Sequence, residues 1–311
     1  MTEGRDAERA LFVVVTALAD LRAEPDHRAE LLSQIPHGHA VTALRSDESG
    51  RWRHAVAPDG LVGWVRDWSL APAPPSLLSP AVRVSRPSLA LHARSLPMGS
   101  RLRLSAGPLT GPRWPVVLAD GARAVVSRRD VVVEPPQRSH ALTIGGRLGS
   151  PEAPFTAEEF AVALSEVAAA RVLASIESLL GAPYLWGGCS PGGLDCSGLL
   201  RLVFSVHGVA LPRDAKDHAA LTEGWRLPPD ARRVPGDLLF FGEEGRVTHV
   251  AIAEGPTRFL HASGEVRRSS SVRPDERDRA MLQILLFTTR PPWRPPAHET
   301  RTRPRAPRRT D

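Results

Sequence analysis

The sequence predicts an α+β protein, with a strand-rich first half and a second half that opens on helices and closes on strands. Three observations carry that prediction. Residues 10 to 70 are short apolar runs divided by Gly- and Pro-containing turns, the pattern of a small barrel. Two later stretches, Thr156 to Gly181 and Cys196 to Gly208, have helical periodicity with start and stop residues at their ends. Residues 235 to 263 then return to apolar runs of strand length.

At 311 residues the chain has room for two or three domains, and 42% hydrophobic against 24% charged residues supports a real core. Six of the arginines fall in residues 291 to 311 against only Glu299 and Asp311, so much of the net +6 sits in that tail. The remainder is near neutral, and no nucleic-acid-binding face is expected. No stretch is long enough to span a membrane. Cys189 and Cys196 are the only cysteines, which excludes a disulfide framework. The sequence sets no oligomeric state.

The first half reads as LFVVVTAL, HAVTAL, RWRHAVA and LVGWV, with turns at residues 36 to 38, 47 to 50 and 58 to 60. The apolar run from Ala10 to Leu18 follows Glu3, Asp6 and Glu8 rather than a cationic segment, so it reads as a first strand and not a signal peptide. A cytoplasmic location is the corresponding expectation. Asp20-Leu21-Arg22, Gly38, Trp52 and Gly63-Trp64-Val65 resemble a bacterial SH3 domain over residues 1–73, with Trp52 and Trp64 in its core. Beyond the Pro-rich residues 71 to 75, SRLRLSA, PVVLADGARAVVS and DVVVE suggest a second, diverged SH3-like barrel over 74–138. A capping box of Thr156 with Glu159, and a staple of Phe155 with Phe160, open a third domain over 150–290. The Pro/Arg-rich residues 291–311 are expected to be disordered.

The chemistry concentrates in GAPYLWGGCSPGGLDCSG, residues 181 to 198. An apolar stripe at Leu199, Leu200, Val203, Phe204 and Val206 follows, closed by Gly208. Asp195 therefore stands at an N-cap and Cys196 in the first turn, where the helix dipole and free amides favour a thiolate. A nucleophilic thiolate needs a base; His249 begins the apolar run HVAIA and His261, twelve residues on, ends the run RFLHA. Neighbouring antiparallel strands would let one imidazole orient the other.

Gly181, Tyr184, Trp186-Gly187-Gly188, Asp195-Cys196-Ser197-Gly198, Leu211-Pro212-Arg213, Pro235-Gly236-Asp237, His249-Val250 and His261-Ala262 together resemble the NlpC/P60 cysteine peptidases over roughly residues 155 to 290. The resemblance implies a papain-like catalytic domain and a Cys196–His249–His261 triad. It implies no cofactor and no metal, and peptidoglycan-derived stem peptides cleaved between γ-D-glutamate and a diamino acid. By the same resemblance, Tyr184, Asp195, Ser197, Arg213 and Asp214 line the pocket for L-Ala-γ-D-Glu. Glu30 matches the acidic position that grips the free amine of L-Ala. Two departures stand out: Leu61 occupies the place of an expected tyrosine, and His218 that of a glutamine. With the reading of β-strand rather than signal peptide at the start, the resemblance implies an endopeptidase acting on free muropeptides in wall recycling. The alternatives are an exported hydrolase of intact peptidoglycan, or an inactive or metal-held wall-binding module using Cys189, Cys196, His249 and His261.

Overall fold

In the computed structural model the described residues are 10–91, 93–105, 109–134 and 156–295. The alternating first half folds as strands β1 (Ala10–Val14), β2 (Leu18–Arg22), β3 (Leu31–Pro36), β4 (Ala40–Ser46), β5 (Trp52–Val56), β6 (Val62–Arg66) and β7 (Leu70–Pro72). They form one seven-stranded antiparallel sheet in the order β3-β2-β6-β5-β4-β1-β7, with β3 and β7 at its edges. Trp52 and Trp64 are both buried, as their place in the pattern predicts. The run read as a first strand is β1, with Val13 and Val14 in the core.

The second unit comprises β8 (Ala81–Val84), β9 (Ser88–Leu91), β10 (Arg94–Pro97), β11 (Arg101–Leu104), β12 (Arg113–Val117), β13 (Arg123–Ser127) and β14 (Val131–Val133). Five of them make the sheet β13-β12-β11-β8-β14, and β9 with β10 forms a separate hairpin. Leu96, Leu102, Val116, Leu118 and Trp114 fill its interior. The two strand-rich units meet at Gly38, where a φ of 80° and the adjacent Arg101 carbonyl leave no place for a side chain.

The third unit begins at α1 (Ala157–Ser165), capped by Thr156 and Glu159 in the reciprocal arrangement the sequence predicts; Phe155, its proposed staple partner, lies outside the described residues. Then follow α2 (Ala169–Glu177), β15 (Cys189–Ser190), β16 (Gly193–Leu194), α3 (Cys196–Val206), α4 (Ala215–Thr222), β17 (Leu238–Glu243), β18 (Arg246–Ala253), β19 (Arg258–Ser263), β20 (Glu265–Ser270), α5 (Glu276–Gln283) and β21 (Leu285–Thr289). The sheet order is β20-β19-β18-β17-β21. Its two faces are both covered, which is why LLFF and VAIA read as continuous apolar runs and not as alternation. Leu238, Phe240, Val250, Ile252, Leu260 and Ala262 pack with the helix α3 residues Leu199, Val203 and Phe204. Leu239, Phe241, Ala251, Ala253 and Phe259 form a separate cluster with Met281 and Leu282 of α5.

One boundary is corrected. Residues from Pro291 onward were expected to be disordered, yet Trp293 donates its indole N–H to the Gly236 carbonyl at 3.0 Å and lies 5.4 Å from Phe204 with its ring tilted. A single large aromatic offsets the ordering entropy of a Pro-rich segment. The packed domain therefore continues past residue 290, and residues 296–311 lie outside the described part.

Candidate active site

Asp195 caps α3 as its sequence position requires: Oδ1 accepts from the Gly198 amide at 2.7 Å. Gly208 closes the helix at φ 80°. Cys196 opens the helix and is buried, with the amides of Val250 and Ser197 directed at its sulfur. The expectation of a thiolate at rest is overturned. Burial, with the Asp195 carboxylate beside it, pushes the thiol up to about 11, and the amides only partly oppose this. The dipole at the start of α3 is weaker than the desolvation of a buried anion.

His249 and His261 meet as the hairpin spacing predicts, although not as direct cross-strand partners. The β18–β19 ladder pairs Ile252 with Leu260 and Ala253 with Phe259, so His249 lies beyond the paired part. Its Nε2 is 2.8 Å from Nδ1 of His261, the two rings perpendicular at 5.0 Å. Both rings rest on aromatics, His249 edge-on to Phe241 and His261 against Phe259. Burial lowers His249 to about 4, with Asp195 opposing; it lowers His261 to about 3, helped by His249 and Arg267. At neutral pH each imidazole is uncharged, and with its Nε2 engaged His249 has only Nδ1 free to face a proton donor.

The substrate-pocket candidates divide. Asp195, Ser197 and Arg213 form one buried cluster. Arg213 donates to Asp195 through both terminal nitrogens, to Ser197 Oγ at 3.0 Å and to the Leu32 carbonyl at 3.1 Å. Asp195 Oδ2 also accepts from the Gly187 amide at 2.9 Å. Every oxygen of this carboxylate is committed, so it holds the loop and the cysteine helix together. Tyr184 is half-buried beside the nucleophile; burial first, then Cys196 and Asp195, push its hydroxyl up to about 12. Asp214 departs from expectation: it is exposed at the start of α4, 3.7 Å from Lys216, because the chain turns its side chain outward there. Glu30 is also exposed, and it accepts the Trp186 indole N–H at 2.9 Å across the junction between the first strand-rich unit and the cysteine loop.

That junction holds residues the sequence reading missed. Gln34 Oε1 on β3 accepts from the Cys189 amide and from Ser190 Oγ, each at 3.2 Å, and its Nε2 donates to Asp20 at 3.0 Å. Ser33 Oγ lies 3.6 Å from Cys189 Sγ. Gly187, at φ 79°, lies against the Leu31 carbonyl, so any side chain there would separate the units. Nothing local in a strand sequence marks such partners. Leu61 packs against the first core and His218 is wholly buried, its Nε2 2.8 Å from the Pro212 carbonyl. Cys189 thus turns to Ser33 while Cys196 turns to Val250, and the described residues hold no cluster of three or more side chains arranged for a metal, as the metal-held alternative would need. Among them no helix is long and apolar enough to cross a membrane.

The stretch holding this cysteine–histidine geometry, residues 181–285, matches the NlpC/P60 family. Residues 181–285 are an NlpC/P60 domain. This family is a cysteine peptidase family. The gamma-D-glutamyl-L-lysine dipeptidyl-peptidase of Bacillus subtilis (strain 168) is 28% identical over 245 residues, covering 74% of this chain and 71% of that protein. Dipeptidyl-peptidase 6 of Lysinibacillus sphaericus is 28% identical over 259 residues, covering 81% and 87%. An NlpC/P60 family protein from Bacillus cereus ATCC 10987 has the same fold, with a TM-score of 0.70 at 19% identity over 91% of this chain and 99% of that one. These matches extend well outside the NlpC/P60 domain, into the strand-rich units that deliver Glu30 and Gln34 to it.

Proposed function

We propose that this protein is a cysteine endopeptidase that hydrolyses the γ-D-glutamyl–diamino acid bond of free peptidoglycan stem peptides. The observation that carries the reading is the His249–His261 hydrogen bond of 2.8 Å near the cysteine that opens α3. The relatives' names supply the substrate class.

The chemistry starts from a neutral thiol and a neutral imidazole. Cys196 Sγ attacks the amide carbonyl carbon as its proton passes to His249 Nδ1. His249 returns that proton to the leaving amine nitrogen as the C–N bond breaks and a thioester remains. Water then attacks the thioester, loses its proton to His249, and the C–S bond breaks to restore the thiol. His261 Nδ1 accepts from the Nε2–H of His249 and orients it, the part a carboxylate plays in other triads. The Cys196 backbone amide, at the helix start, is suited to the oxyanion.

Glu30 supports free peptides as the preferred substrate. Its carboxylate stands at the rim beside Trp186, where an ammonium would pair with it and an N-acylated terminus would not. That preference fits wall recycling in the cytoplasm. The test is L-Ala-γ-D-Glu-diaminopimelate, its N-acetylated form and intact sacculi incubated in parallel, with products read by mass spectrometry. Cleavage of the free tripeptide at the γ-D-glutamyl bond is the expected result; no cleavage of any of the three would sink the reading.

A further inference from the structure

The histidine pair does not end at His261. His261 Nε2 lies 2.9 Å from Ser269 Oγ, on β20, and both side chains are buried to within 2%. We propose that Ser269 is a positioning residue that selects the tautomer of His261 and thereby makes His249 a competent base. The inference rests on the cysteine-peptidase reading above and concerns how that site is set.

The argument counts protons. His249 Nε2 is spent on His261, so Nδ1 receives the thiol proton. Once it has done so His249 is an imidazolium with both nitrogens as donors, and its Nε2–H requires an acceptor at His261 Nδ1. A neutral His261 that accepts at Nδ1 carries its one proton on Nε2. That N–H is buried and needs an acceptor of its own. The groups around it narrow the choice. Arg267, directly opposite His261 in the β19–β20 ladder, offers only donors, and it is held by Asp275 and Asp278 on the α5 side. The Ser269 hydroxyl is the partner recorded for this nitrogen, and it accepts. If the hydroxyl instead donated, the chain would reverse: His261 Nδ1–H would donate to His249 Nε2, the proton of His249 would sit on Nδ1, and the thiol would have no acceptor.

Cys196 alkylation reads this step without any substrate. Full-length wild type, Ser269→Ala and Ser269→Thr are treated with iodoacetamide across pH 5 to 12, and modification of the Cys196 peptide is followed by mass spectrometry. Ser269→Ala is expected to slow alkylation roughly 10- to 100-fold near neutral pH, the range by which losing the outer partner of a metal-bound imidazole lowers activity. Above the thiol's own range the two rates converge, because a thiolate formed by hydroxide needs no base. Ser269→Thr, which keeps the hydroxyl, restores the neutral-pH rate. On the tripeptide, kcat falls by the same factor and KM holds. Loss of rate at all pH values, an unchanged profile in Ser269→Ala, or a Ser269→Thr protein as slow as Ser269→Ala would each overturn the proposal. Should the tripeptide not be cleaved while the alkylation profile behaves as described, the substrate reading fails and the role of Ser269 stands.

Discussion

The floor and the rim of the NlpC/P60 site are built from the same kinds of group and behave oppositely. At the floor, Asp195 and Arg213 are no more than 7% exposed and every oxygen of the carboxylate is taken. At the rim, Glu30 and Trp186 meet in a single hydrogen bond, with Trp186 65% exposed. A charge pair out of water is expensive to break, whereas an exposed pair is worth little to the fold. The floor therefore ties the Cys196 helix to its loop, and the rim stays open to solvent.

The sharpest break is at the nucleophile. Cys196→Ala should abolish tripeptide hydrolysis with an unchanged melting curve, since the thiol supplies chemistry and little bulk, while Cys189→Ser keeps most activity; equal losses in the two variants would refute a single nucleophile. His249→Ala is expected to cost as much as Cys196→Ala, because residues acting as a unit are not additive. His261→Ala should be milder in kcat, and a larger loss at His261 than at His249 would reverse the roles assigned to them.

Next in size is the floor itself. Asp195→Asn leaves the Arg213 guanidinium buried without its counter-charge, so denaturant unfolding should show a loss of about 3–5 kcal/mol. The double variant Asp195→Asn, Arg213→Met should recover part of it; a double variant worse than the sum would mean the pair is not the source of the cost.

Acid should reach the floor before the rim. Burial holds His218 and His249 down at about 4 and His261 at about 3, against 6.5 when unfolded. Between those values the unfolded chain binds protons that the folded chain refuses. The stability these histidines contribute is thus present above pH 6.5 and lost as pH falls through about 4, at up to about 1.4 kcal/mol per pH unit for each. Thermal melts at pH 7, 5.5 and 4.5 should step downward; a flat series would argue that these rings are accessible.

The smallest effect on the fold, and the most selective, lies at the rim. Glu30→Ala should leave the melting curve in place and erode the preference for free over N-acetylated tripeptide by tens-fold in kcat/KM. If wild type cleaves both at one rate, Glu30 has no part in selecting the amine.

Local rules made the cysteine helix legible. An N-cap Asp195, an apolar stripe after Cys196 and a closing Gly208 are set by neighbours within one or two turns, and all three stand in the structure. The capped α1, the buried Trp52 and Trp64, and the strands bearing His249 and His261 follow from the same short-range patterning. Strand β20 was missed because an edge strand such as EVRRSS, with polar residues at most positions, lacks the apolar signature of its buried neighbours.

What only the tertiary structure decided is which group each polar side chain meets. Ser269 reaches His261 across two strands, Gln34 reaches Cys189 across two domains, and Arg213 bridges Leu32 to Asp195. It also decided the resting protonation: the sequence placed Cys196 at a favourable helix end, and burial overrode the dipole. The physical reason is common to both. Backbone geometry, caps and periodicity depend on residues close in the chain, whereas hydrogen-bond partners and desolvation depend on everything that packs around a site, which no local stretch encodes.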